Sequence, residues 1–274
     1  MDPSNFIDFL KRILPEKTQE MLLAPAADSL GKTAGDIVEV TTAPISLPAK
    51  YLAAHIRSLK DKIDKKFSLI EFDQLSFNEE NFNKLLKFSN DLQFSLDSEE
   101  IRNMFANLVV KSFVKSDQDA LHPAFSSIIR DLTPLDARNL IVIYQKYPST
   151  SFPLVDYRET APNGSFNTVK QNVFLENNEE DDLDSQILSI ENLERLKLLL
   201  IENNFKWDSG SYEKFNLTDF FIKQKHILNE NKIQWEKLNI SEEIKNGWVC
   251  DISINKKTCE LTSFGKLFCS ICLD

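Results

Sequence analysis

DSEEIRNMFANLVVKSFVKSDQDALHPAFSSIIRDLTPLDARNL, residues 97–140, carries three helices together with the signals that start them. Asp97 followed by Glu100 has the spacing of an N-cap residue and its reciprocal partner, which together satisfy the first free N–H groups of a helix. Ile101, Met104, Phe105 and Leu108 recur at i, i+3, i+4 and i+7, and Val109 and Phe113 widen the stripe, so one face is predicted to be buried. Lys111 and Lys115 fall where the helix dipole favours positive charge. Pro123 occupies a position that needs no N–H, and Phe125, Ile128 and Ile129 share one side of a second helix running through Arg130. Thr133, Pro134 and Asp136 repeat the start signal for a third helix through Tyr144.

The segments EIRNMFANLV (100–109), HPAFSSIIRDLTPLDA (122–137) and LTSFGKLFCSIC (261–272) closely resemble the prokaryotic family called abortive infection alpha. The resemblance spans most of the chain and is poorest from about Asp208 to Lys245. It implies a place in bacterial defence against phage. It implies no particular reaction, because the family has no established biochemical activity. It also marks His122, in the HPAF element, as a family position.

With 274 residues, 42% of them hydrophobic, the chain is long enough for two ordinary cores. Six glycines against twenty phenylalanines favour a helix-rich interior of large side chains over Gly-rich phosphate loops. The 32 basic residues are outnumbered by 42 acidic ones, and both halves share the deficit. A net charge of −10 repels polyanions at long range, so nucleic acid and anionic membrane are disfavoured partners. The N-terminus lacks the order of a signal peptide, and no apolar run approaches the ~20 residues of a membrane span, so a cytoplasmic location is expected.

The expected fold is mostly α with an α+β C-terminal part. Residues 1–66 read as broken amphipathic helices, with FIDFLKRIL at 6–14, a stop at Pro15 and interruptions at Pro44 and Pro48. Gly31 and Gly35, one turn apart beside Ala27 and Ala34, allow close backbone approach, either at a self-association seam or within one subunit. Residues 67–132 form a helical core segment. Residues 133–274 read as a winged-helix-like domain with an inserted segment near 208–245: helix 134–146, strand 152–157, helix 189–199, a hairpin of strands 248–254 and 258–261 turning at Asn255–Lys257, and a closing helix capped by Thr262. The acidic run Glu176–Asp184 reads as a solvated linker, because it lacks the alternating oxygen ligands and central glycine of a calcium loop.

Four groups could carry chemistry. Cys250, Cys259, Cys269 and Cys272 have the spacing C-x8-C-x9-C-x2-C, but a structural zinc site prefers two close pairs, so reduced structural thiols are expected in place of zinc. Arg195, Lys197, Lys256 and Lys257 are the candidate nucleic-acid contacts of a winged helix, opposed by Glu191, Glu194 and Glu202. His122 is read as a cap or carbonyl partner ahead of acid–base work. No Walker loop, dinucleotide loop or nucleophile elbow occurs, and no cofactor is implied. The reading that follows is a non-enzymatic protein-interaction component of an antiphage response, acting by homo-oligomerisation or on a protein partner. A winged-helix DNA-binding regulator and an unrecognised enzyme are the alternatives.

Overall fold

The computed structural model describes residues 11–16, 18–20, 48–76, 98–178, 182–204, 209–238 and 240–274. The chain divides into two compact units, one of residues 1–137 with 267–274 and one of residues 138–266. Gly31, Gly35, Pro44 and the seam they suggested lie outside the described residues.

In the first unit, helix α1 (Pro48–Phe67) buries Leu59, Ile63 and Phe67, and helix α2 (Glu99–Lys111) buries the stripe expected from its spacing, from Ile101 through Val110. Ser98 is the N-cap of α2, one residue later than Asp97, and its hydroxyl accepts from the Ile101 N–H. The two helices are tied by Lys62 to Glu99 at 3.1 Å and by the Arg102 guanidinium 2.9 Å from His55 Nδ1. Phe113 meets Phe67 with ring centroids 5.6 Å apart. Helix α3 (Phe125–Asp131) follows, and the chain's last residues complete this unit: Phe125 packs edge-on against Phe268, and Asn107 Nδ2 donates to the Cys272 carbonyl at 2.8 Å. Helix α4 (Pro134–Lys146) opens with the capping box read from sequence, Thr133 N–H to Asp136 Oδ2 at 2.7 Å and Asp136 N–H to Thr133 Oγ1 at 3.1 Å.

The second unit is built on a four-stranded antiparallel sheet in the order β2–β1–β4–β3. Its strands are β1 (Phe152–Thr160), β2 (Phe166–Val173), β3 (Leu199–Glu202) and β4 (Asp251–Leu261). Helix α5 (Leu183–Arg195) lies between β2 and β3 in sequence, while helix α6 (Asp219–Glu236) and the short helix α7 (Glu242–Lys245) precede β4. Helix α8 (Ser263–Cys272) closes the chain, with the Gly265 N–H donating to Thr262 Oγ1 at 2.8 Å, as its cap predicted.

Two expectations are corrected. The hairpin at 248–261 does not form, because β4 runs straight through Asn255–Lys257 and pairs with β1 over nine consecutive positions, Phe152 opposite Cys259 to Thr160 opposite Asp251. The polar residues that read as a turn alternate between the two sheet faces and find partners there. The second correction concerns the acidic run. Glu176 is buried, and Asp182 caps α5 by accepting from the Ser185 N–H, so that helix starts six residues before Ser189. The span of poorest family resemblance supplies a 3₁₀ segment (Ser209–Leu217) and the eighteen-residue α6 that packs on the sheet.

One face of the sheet holds the core. Val155, Tyr157, Val173 and Ile252 pack with Tyr212, Phe215, Phe221 and Leu228. The tightest approach is at α8, where a Cβ on Gly265 would lie 2.1 Å from the Leu198 carbonyl oxygen, a backbone atom unable to step aside. Gly265→Ala is therefore expected to cost about 3 kcal/mol in denaturant unfolding. A variant as stable as the parent would contradict this close approach.

Candidate functional site

All the features considered as a site here, except His122, Cys269 and Cys272, lie in the second unit. On the sheet face opposite Tyr157, alternation places Asp156 and Lys257, which are buried as an ion pair at 2.7 Å. Asp156 Oδ1 also accepts from the Asn172 N–H at 3.1 Å, and Oδ2 from Asn255 Nδ2 at 3.1 Å. Asn172 stands at φ 52 beside a register shift between β1 and β2, a conformation that Asn tolerates better than most residues, and its Oδ1 accepts from Lys257 Nζ at 3.0 Å. Every charge in this cluster has a partner, so it is suited to fixing strand register and not to meeting a ligand.

A second polar cluster surrounds Glu176. Its carboxylate accepts from Tyr147 OH at 2.9 Å and pairs with Lys214, while its carbonyl accepts from Lys146 Nζ at 2.8 Å. Burial first, then the neighbouring Glu176, pushes the Tyr147 hydroxyl far above its ordinary pKa. Next to it, Asn139 Nδ2 donates to Gln186 Oε1 and Ser189 Oγ, and Asn177 Nδ2 donates to Asn139 Oδ1 at 2.7 Å. These groups too are spent on one another.

An open groove remains. It has a volume of 680 Å³ and runs between α6 and β4, lined by Ile222, Lys225, His226 and Asn229 on the helix and by Ile252 to Ile254 on the strand. Thr218 fixes the start of α6 by accepting from the Phe221 N–H at 3.3 Å, and its hydroxyl also meets Tyr157 OH at 2.9 Å. Tyr157 donates to the Phe215 carbonyl at 2.7 Å, and Phe220 stacks on its ring. At the far end, Trp235 meets Trp248 edge-on at 5.0 Å. From Phe221 to Trp235 the helix rises about 21 Å, and from Ile254 back to Trp248 an extended chain covers about 20 Å. The helix thus runs antiparallel to β4 with its turns matched to the strand.

Residues 221, 224, 228, 231 and 235 form the inward row of α6, a narrow stripe. Ile222, His226, Asn229 and Ile233 form a second row beside it that faces solvent, with Ile222 at 53% and Ile233 at 55% exposure. Sequence spacing gave no sign of this, since apolar residues occur all round α6 and no single face stands out. The available signal was the presence of isoleucines where lysine or glutamate would normally cover a solvent face.

The residues singled out from sequence do not converge. Cys250 and Cys259 lie at opposite ends of one extended stretch, about 30 Å apart at the rise of a strand. Cys269 and Cys272 belong to the other unit. Cys259, Cys269 and Cys272 are buried, and burial drives each thiol pKa upward, with the Glu194 charge adding to the shift at Cys259. Among the described residues no group of three or more His, Cys, Asp or Glu could hold a metal ion. Arg195 is exposed and donates to Asn192 Oδ1 from two nitrogens. Lys197 takes φ 62 at the end of α5, where its N–H bonds the Glu194 carbonyl and the Leu198 N–H bonds that of Leu193, a Schellman turn. Lys256 sits 5.1 Å from the Tyr212 ring centroid, and Lys257 is the buried partner of Asp156. His122 is exposed in front of α3, where its Nδ1 accepts from the Ala124 N–H at 3.1 Å.

The fold and groove define a mixed protein, helical in its first unit and antiparallel-sheet in its second, with an open surface site between a helix and a strand. It belongs to the abortive infection alpha family, whose sequence model matches residues 52–272. That membership points to a role in abortive infection, the phage-defence response. Neither the curated proteins nor the solved structures contain a match to the chain. No helix among the described residues is long and apolar enough to cross a membrane.

Burial raises the Tyr157 pKa from 10.0 to about 12. The fold therefore favours the neutral phenol. Its stabilising effect is complete below pH 10 and is lost as pH rises through 12. Thermal melts should fall over that window, more steeply in the parent than in Tyr157→Phe. Parallel pH profiles for the two would contradict the buried hydroxyl's part in holding α6 to the sheet.

Proposed function

We propose that the chain acts in abortive infection as a non-enzymatic association component, and that the outer row of α6 is its contact surface. The observation that carries this reading is the exposure of Ile222 and Ile233 in one row of a helix whose inward row is already packed. Isolated surface leucines and isoleucines are ordinary, but Ile222 and Ile233 share one row of the helix, and Ile222 lines the groove beside it, an apolar surface that gains by being covered. The polar clusters around Asp156 and Glu176 are internally satisfied, so among the described residues neither of them favours catalysis. DNA binding through a winged helix has less in its favour, since Lys257 is buried against Asp156 and no wing separates it from the sheet. A partner protein or a second copy of the chain is the natural counterpart. The N-terminal residues 1–66 are a further candidate for self-association.

The double variant Ile222→Glu, Ile233→Glu alters exposed side chains alone, so its melt should stay within about 1 kcal/mol of the parent. Cells carrying the parent gene should restrict phage plaque formation, and cells carrying the variant should lose that restriction at equal protein level. Undiminished restriction by the folded variant would remove the α6 surface from the function.

A further inference from the structure

We infer that the outer row of α6 is one half of a heptad seam, and that its counterpart is a helix of a partner protein with acidic residues along both edges of its apolar stripe. This deepens the association reading above and rests on it.

Ile222, His226, Asn229 and Ile233 are separated by four, three and four residues, the alternation that keeps one line of side chains at the contact when two helices wind around each other. All four are exposed, whereas the row from Phe221 to Trp235 is spent on the sheet. The helix therefore has two faces to satisfy, and packing within the second unit satisfies one. From Ile222 to Ile233 the outer row spans about 17 Å, three turns, which matches a partner helix of about two heptads. Isoleucine at each end supplies the apolar contact. Between them His226 and Asn229 put polar groups at seam positions, a device that in paired helices fixes register at a cost in stability.

The residues that flank such a seam select the helix it accepts. Here they are Lys223, Lys225, Glu230, Lys232 and Lys237, four cations and one anion in a chain of net charge −10. All five are exposed. Glu230 approaches His226 at 3.6 Å, whereas the four lysines have no carboxylate partner among the described residues. On the side of the groove the lining holds Lys225 and His226 and no carboxylate, so an acidic side chain reaching over it meets only positive charge. A second copy of the chain fits these edges poorly. Paired in parallel it would set Lys225 against Glu230 but Lys232 against Lys237, and paired antiparallel it would set Lys225 against Lys232. A helix with Glu or Asp along both edges meets four of the five flanking charges favourably.

Fluorescence anisotropy on the full chain tests this, using labelled peptides of about 21 residues, long enough to hold a helix once bound. The probe is built as heptads with Ile and Leu in the seam and Glu at both flanks. One control carries Lys at the flanks, and a second keeps the glutamates but has a central proline, which breaks a helix. The acidic peptide should bind, and each control should bind more weakly by a factor on the order of tenfold. The variant Lys225→Glu, Lys232→Glu alters exposed side chains alone and should invert the preference, making the lysine peptide the tighter ligand. Ile222→Glu, Ile233→Glu should weaken the acidic peptide by a similar factor. Absence of binding by the acidic peptide, equal binding by the acidic and lysine peptides, an unchanged preference in the charge-reversed variant, or binding that survives the proline would overturn the inference. A chain that is dimeric in light scattering and monomeric as Ile222→Glu, Ile233→Glu would replace the acidic partner with a second copy. Loss of phage restriction in Ile222→Glu, Ile233→Glu with no peptide bound by the parent would overturn the acidic helix yet leave association standing, whereas full restriction by that variant would remove both.

Discussion

The nine-position pairing of β1 with β4 is the constraint on which the second unit depends. The core residues Val155, Tyr157 and Ile252 reach one face of the sheet only because this register is kept, and a slip of one residue would exchange them with Asp156, Arg158 and Ser253. The buried pair of Asp156 and Lys257 guards against such a slip. Either charge alone in that position would be costly, and only the observed register brings them within 2.7 Å while giving each a second partner in Asn172. Ion pairs of this kind add little to stability compared with apolar replacements, and their value lies in penalising the wrong arrangement.

From that register the rest follows outward. Tyr157 projects into the core, its hydroxyl holds Phe215 and Thr218, and Thr218 starts α6. Trp235 against Trp248 fastens the far end, so the helix lies along β4 and leaves a groove beside the strand. The groove is therefore a consequence of how α6 is anchored. Its lining combines residues nearly thirty positions apart in sequence, which only the packed sheet brings together.

Much of the helical part was legible in the sequence because its signals are local. Thr133 with Asp136, Thr262 with Gly265 and the stripe from Ile101 to Phe113 depend on neighbours within one or two turns, and each appears in the structure as read. Ser98 displaced Asp97 as a cap, an error of one residue between two equally suitable side chains. The sheet was less legible. Asn255, Lys256 and Lys257 are turn-like by composition, and nothing within ten residues of them reveals that Asp156 and Asn172 await two of them across the sheet. Glu176 misled for the same reason, since its partners Tyr147 and Lys214 lie about thirty and forty positions away. The site was hidden most completely, because α6 lacks an amphipathic pattern and its exposed isoleucines acquire meaning only next to the groove along β4.

Residue-resolved amide hydrogen exchange on the free protein tests the continuity and register of β4 most directly. A strand paired with β1 in this register should show alternation: slow exchange at Ser253 and Asn255, whose N–H groups face β1, and faster exchange at Ile254 and Lys256, whose N–H groups face away from it. Uniformly fast exchange from Asn255 to Lys257 would restore the hairpin turn, and fast exchange at Ser253 and Asn255 with slow exchange at Ile254 would mean a register shifted by one residue; either result contradicts the pairing of β1 with β4.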